Sequence, residues 1–201
     1  MQSILLSMSV FAFVGAVSPG PVNIIAASAG AQFGYQKAVF HVLGATFAYT
    51  FIVLLCGLGL EQALIILPEM TGWLTLFGGL FLLYMALKIA TTVGTENTED
   101  LKNTVHPTFF EGVLSQGLNP KAWLVAMSGV SLFVLKHSPT MLYLVIFCAI
   151  SFVVCFLGVS AWAAAGNYIG RYLSTTKRQV TFNIVMGLLL GGTVVHMFWG
   201  Y

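Results

Sequence analysis

The sequence predicts an all-α integral membrane protein: six transmembrane helices forming two inverted three-helix repeats, with proline breaks in the first and fourth helices. Three observations lead there. Charged residues are 7% of the 201 residues and hydrophobic ones 58%, where a soluble domain carries roughly 25% charged residues. Apolar segments of about 20 residues, long enough to cross a bilayer as a helix, can be drawn six times. Ser18-Pro19-Gly20-Pro21 interrupts the first of them and Asn119-Pro120-Lys121 the fourth. The whole chain, 1–201, reads as a single transporter domain.

The segments run over 4–30, 38–60, 63–91, 108–135, 141–168 and 180–199. Ala27-Ser28-Ala29 has the look of a signal-peptide cleavage site. Met1-Gln2-Ser3 carries no Lys or Arg, however, and the apolar run is too long, so the first segment is kept as a helix. Between the second and third segments Glu61 is the only strong punctuation, with Pro68 and Glu69 as an alternative turn. The polar, acidic stretch 92–107, with Glu96, Glu99 and Asp100, divides the chain into repeats 1–91 and 108–201.

Three spans per half oblige the second half to enter from the opposite side, so duplicated halves would be inverted. Gly15 and Ser18 recur in step as Gly112 and Ser115. Lys37, Lys88, Lys102, Arg171, Lys177 and Arg178 gather on one side of such a topology, against Lys136 alone on the other. The positive-inside rule then makes 92–107 a cytoplasmic loop and both termini periplasmic, in a bacterial inner membrane. Trp73, Trp199 and Tyr201 fall at the outer interface as aromatic anchors.

Composition also excludes functions. A net charge of +2 without a basic stripe gives no nucleic-acid partner. Cys56, Cys148 and Cys155 lie inside apolar segments, with no C-x-x-C and no metal-ligand spacing, so they read as packing residues. No phosphate-binding glycine loop encodes an ATP motor. Neither a cofactor nor a metal nor an enzymatic reaction is expected. Gly34, Gly44, Gly57, Gly59, Gly78, Gly79, Gly187, Gly191 and Gly192 read as sites of close helix approach.

Lys121 is the residue that asks for a function. It sits about 13 residues into its segment, roughly 20 Å deep at 1.5 Å per residue, and no Asp or Glu lies at comparable depth. An intramembrane charge of this kind is costly and marks a substrate or ion pathway. Proline removes an N–H and releases the carbonyl four residues earlier. Pro19 and Pro21 therefore free Gly15 and Val17, and Pro120 frees Gln116. Such breaks are tolerated in hydrocarbon only against protein or a water-filled cavity.

Each break also opens a new half-helix whose N–H groups favour an anion. Gly20 lies between the two prolines as part of the candidate site, and Asn23 and Asn119 add amides at similar depth. One cation, freed carbonyls and half-helix N-termini together complement a zwitterion, so the expected partner is an amino acid. Its carboxylate would meet Lys121 and its ammonium the carbonyls. A sugar needs no buried charge, and a metal ion would want carboxylates. Lys121, Glu111 and His41 are the candidates for proton coupling. Glu111 in a first helical turn also suits the dipole, and His41 and His196 also suit packing or an interface. The bilayer is the other partner, and a homo-oligomer is left open.

Ser18-Pro19-Gly20-Pro21, Gly34 and Gly44, Phe110-x-Gly112 and Asn119-Pro120-Lys121 together resemble the lysine exporter and homoserine/threonine efflux family of bacteria. The likeness covers essentially the whole chain. Around Pro19 to Ile24 it is nearest in look to the cysteine/O-acetylserine exporter subgroup. The resemblance implies export of amino acids or close derivatives, by proton antiport, through two inverted three-helix repeats. Val22 departs from the Asp or Asn that many members carry directly after the triplet, which leaves Asn23 as the polar group there. Membrane thiol–disulfide electron conduits are the rival class. They would need cysteines near the breaks, where this chain has Gly20 and Gly117. A passive channel or structural membrane subunit is the third reading, and would be indifferent to the proton gradient.

Overall fold

The computed structural model describes residues 2–92 and 107–199, the side chains of 60–71 excepted. The expected roles of Glu96, Glu99, Asp100, Lys102 and Tyr201 lie outside the described residues. Every described element is a helix: α1 Gln2–Val17, α2 Pro21–Phe33, α3 Tyr35–Leu58, α4 Leu60–Thr91, α5 Phe109–Gly117, α6 Pro120–Phe133, α7 Thr140–Gly170 and α8 Thr176–Trp199.

Six expected segments have become eight helices, because the first and fourth each divide in two. Between α1 and α2 the axis bends by 62°. By length and apolarity α3, residues 72–91 of α4, α7 and α8 can each cross a membrane, and α1 with α2 makes a fifth span if the bent pair counts as one. The six-span expectation is not met by this measure. The break within the fourth segment leaves pieces of 9 and 14 residues, both shorter than the ~20 that a crossing needs.

The helix ends have local causes. α2 stops at Gly34, whose φ of 80° is open to glycine and strained for other residues. Its N–H returns to the Gly30 carbonyl at 3.0 Å, and α3 starts one residue later. The connection from α3 to α4 is Gly59 alone, so the turn lies before Glu61 and not at Pro68. α5 opens with a capping box. Thr108 Oγ1 accepts from the Glu111 N–H at 3.2 Å, and Glu111 Oε2 accepts from the Thr108 N–H at 2.8 Å.

α2 is the central element, buried at every residue from Pro21 to Gly30. One of its sides joins a core with α3, α6 and α7 through Val22, Ala26 and Ala29. Another joins a smaller core with α4 and α8 through Ile24, Ile25 and Ala27. Trp162 of α7 packs against both.

Glycine sets how closely the helices approach. A methyl group on Gly30 would collide with the Ala163 carbonyl, and one on Gly166 with the Ala27 carbonyl, so α2 and α7 touch backbone to backbone. Gly44 meets the Phe109 carbonyl and Gly112 that of His41, making the same seam between α3 and α5. Gly191 and Gly192 were expected in such seams, but they have open space around them.

Candidate substrate site at two helix breaks

A helix that stops inside an apolar protein leaves its last carbonyls without intrahelical donors. At the end of α1 these acceptors are accounted for one by one. Val14 O takes the Ser18 N–H at 3.1 Å, and Gly15 O takes the Ser18 hydroxyl at 3.1 Å. Asn23 Nδ2 donates to both Ala16 O and Ser18 O at 2.9 Å. The indole Nε1 of Trp162 donates to Val17 O at 3.1 Å.

The second break is closed in the same way. Leu118 N–H donates to Leu114 O at 3.0 Å and Asn119 N–H to Gln116 O at 3.2 Å. Trp123 Nε1 donates to Gly117 O at 2.8 Å. Asn119 caps α6, its Oδ1 accepting from the Lys121 N–H at 3.1 Å. Pro120 stands at the first helical position, where a missing N–H costs nothing. Pro21 holds that position in α2, but Gly20 before it brings no side-chain cap.

Lys121 crosses from the second break to the first. Its Nζ donates to Ser18 Oγ at 2.7 Å, to Ser18 O at 3.3 Å and to Pro19 O at 3.5 Å. An ammonium has three donors, and here all three point at uncharged oxygens. Gly20 borders this contact, since a Cβ there would stand 3.6 Å from Nζ.

Gly15, Gly20, Asn23, Gln116, Asn119 and Lys121 line a small cavity of about 40 Å³, together with Ser18, Tyr49 and Cys155. Room for a water begins at ~10–15 Å³ on this measure. Pro19, Gly20, Pro21, Asn119, Pro120 and Lys121 also line a larger cleft of about 1090 Å³. Its walls are apolar side chains of α6 and α8, and His196, expected at an interface, is among them. Lys121 thus stands between a small chamber that Ser18, Asn23, Gln116 and Asn119 also line and a larger, more apolar cleft.

Three sets of expected groups are placed as follows. The carbonyls of Gly15, Val17 and Gln116 were expected as free acceptors, but each already accepts an internal donor. Val17 lines neither cavity. Glu111 pairs with Lys88 of α4 at 2.7 Å, tying α4 to α5 away from the breaks. His41 is fully buried. It lines neither cavity at the breaks. Among the described residues no cluster of His, Cys, Asp or Glu could hold a metal.

Sequence reasoning passed over Ser18 as a ligand of Lys121, and Trp162, Trp123 and Tyr49 altogether. The tryptophans carried a usable signal. Membrane tryptophans gather at the interfaces, whereas Trp162 stands deep within α7 and Trp123 in the first turn after a break.

Apolar helices of spanning length, with interior polar groups gathered at two helix breaks, define a multi-pass membrane transporter. The family model described as LysE type translocator matches residues 13–199, and the chain belongs to that family. It is a translocator and not an enzyme. The chain is 28% identical over 201 residues to the cysteine/O-acetylserine efflux protein of Shigella flexneri, covering 99% of this chain and 100% of that relative. It is 27% identical over 190 residues to the protein of the same description from Escherichia coli O157:H7, covering 94% of each. No solved structure matches.

Proposed function

We propose that the protein exports amino acids or close derivatives across the bacterial inner membrane, by proton antiport with alternating access. The Lys121 ammonium carries this reading: it is held at the junction of the breaks by three neutral oxygens. A substrate carboxylate offers it a charge-assisted bond, roughly twice as strong as a neutral one, and so displaces Ser18. The substrate ammonium then faces the amide oxygens of Asn23 and Gln116 and the second lone pairs of the break carbonyls. This shifts the acceptors from the freed carbonyls alone to side chains and carbonyls together.

Family membership and the names of the relatives agree with export of small amino acids such as cysteine or O-acetylserine. The two half-helix pairs fit a fold of inverted three-helix repeats, with the termini periplasmic and the repeats rocking about the breaks. Proton exchange is assigned to Lys121, since Glu111 is occupied by Lys88.

The test is efflux of a labelled amino-acid panel from preloaded cells, with Lys121→Ala at matched membrane levels. Export of one class, lost in the variant and abolished by an uncoupler, is the expected result. Export that persists in Lys121→Ala moves the site elsewhere. Export unchanged by uncouplers and by external pH removes the antiport.

A further inference from the structure

α1 and α5 both end half-buried at the breaks, and each points the negative end of its dipole there. A last carbonyl in that position needs a donor, because burying it unpaired costs far more than a made bond returns. Both helices use the same device. Trp162 Nε1 reaches Val17 O at 3.1 Å from another helix, α7, and Trp123 Nε1 reaches Gly117 O at 2.8 Å from the first turn of α6. Val17 and Gly117 are the last residues of their helices.

The choice of donor has a consequence. Lysine would be the ordinary cation at a helix C-terminus, and Lys121 is within reach of the first break. Tryptophan has one donor and no charge to give up. With indoles on the terminal carbonyls, the ammonium contacts only Ser18 and Pro19, beyond the end of α1. Trp162 also packs against both cores, so its ring is held in register with α2 and the break it serves.

We propose that Trp162 and Trp123 are positioning residues, whose indole N–H groups cap the two broken helices and leave Lys121 free to exchange partners with the substrate. The assignment rests on the transport reading above. Neither residue touches the substrate. Without an indole N–H, Val17 O or Gly117 O competes for the ammonium or pulls the break out of shape, and substrate binding weakens.

The experiment uses the full-length protein in the efflux assay, reading maximal rate and half-saturating internal concentration separately for Trp162→Phe and Trp123→Phe. The expected result is a rise of about fivefold to tenfold in half-saturating concentration, the loss of roughly one part-buried hydrogen bond. Exposed Trp73, stacked on Phe77, supplies the control: Trp73→Phe keeps the native value. A purely structural role would lower the maximal rate with the amount of protein and leave half-saturation unchanged, and that outcome overturns the proposal. If phenylalanine prevents insertion, benzothienylalanine incorporated at 162 keeps the bicyclic shape without the N–H. Native half-saturation there also overturns it. Failure of the unsubstituted protein to export any amino acid would instead refute the transport reading itself.

Discussion

Lys121 Nζ lies 2.7 Å from Ser18 Oγ, joining helix breaks that are 103 residues apart in the chain. It is one of several hydrogen bonds that link the first half of the molecule to the second. The lysine needs an acceptor when no substrate is present, and the serine supplies one that a carboxylate can outcompete.

Ser18→Ala removes that acceptor and also the donor to Gly15 O. Two bonds at a half-buried site are lost, each worth ~1 kcal/mol. The substrate carboxylate then no longer has a serine to displace, so efflux at low internal substrate is expected to rise by about fivefold, the worth of one such bond, with membrane levels unchanged. Native efflux would show that the serine contact is incidental to transport.

Pro120→Ala restores an N–H at the start of α6 and removes the constraint that keeps Asn119 extended. The helix can then run on from α5, and the site loses its second opening. Insertion is expected to stay intact while transport drops. Full activity in the variant would make this break dispensable.

The glycine seams predict opposite outcomes for one kind of substitution. Gly30→Ala and Gly112→Ala drive a methyl group into the facing backbone, where overpacking costs about 1–3 kcal/mol. At Gly191 nothing stands within 4 Å of the added atom, and alanine gains up to ~1 kcal/mol of helix propensity. Thermal unfolding in detergent should rank Gly191→Ala at or above the native protein and the other two well below. Equal melting of all three would show that α2–α7 and α3–α5 are not in backbone contact.

Glu111→Gln separates two roles of one residue. Glutamine can still serve the capping box, but the ion pair with Lys88 is lost. The pair is partly exposed, at 21% and 15% for its side chains, so the expected cost is about 1–2 kcal/mol, between surface and buried pairs. The variant should melt earlier and remain sensitive to uncouplers. An uncoupler-insensitive variant would transfer proton coupling from Lys121 to Glu111.

Much of the site could be read directly. Proline chemistry placed the first break between Val17 and Pro21 and the second before Pro120, because a missing N–H acts locally whatever the surroundings. The depth expected for Lys121 rests on helix rise and segment length alone. The state of the released carbonyls was not legible. Trp162 reaches Val17 from 145 residues away, and no local rule announces such a donor. The first-turn place of Glu111 was legible and a capping box stands there, but its partner Lys88 was not, because it lies on α4.

Composition and local backbone chemistry by themselves determined that this is an apolar, helical chain with two proline interruptions and one lysine inside an apolar segment. Those are properties of short stretches, set by the transfer of side chains out of water and by the hydrogen bonds that proline cannot make. The tertiary structure alone decided which groups meet at the breaks: Ser18 with Lys121, Trp162 with Val17, and α2 between two cores. Those pairings depend on how closely helices pack and how far they are rotated about their axes. Glycines in the seams allow the approach, but residues far apart in the chain settle the register together.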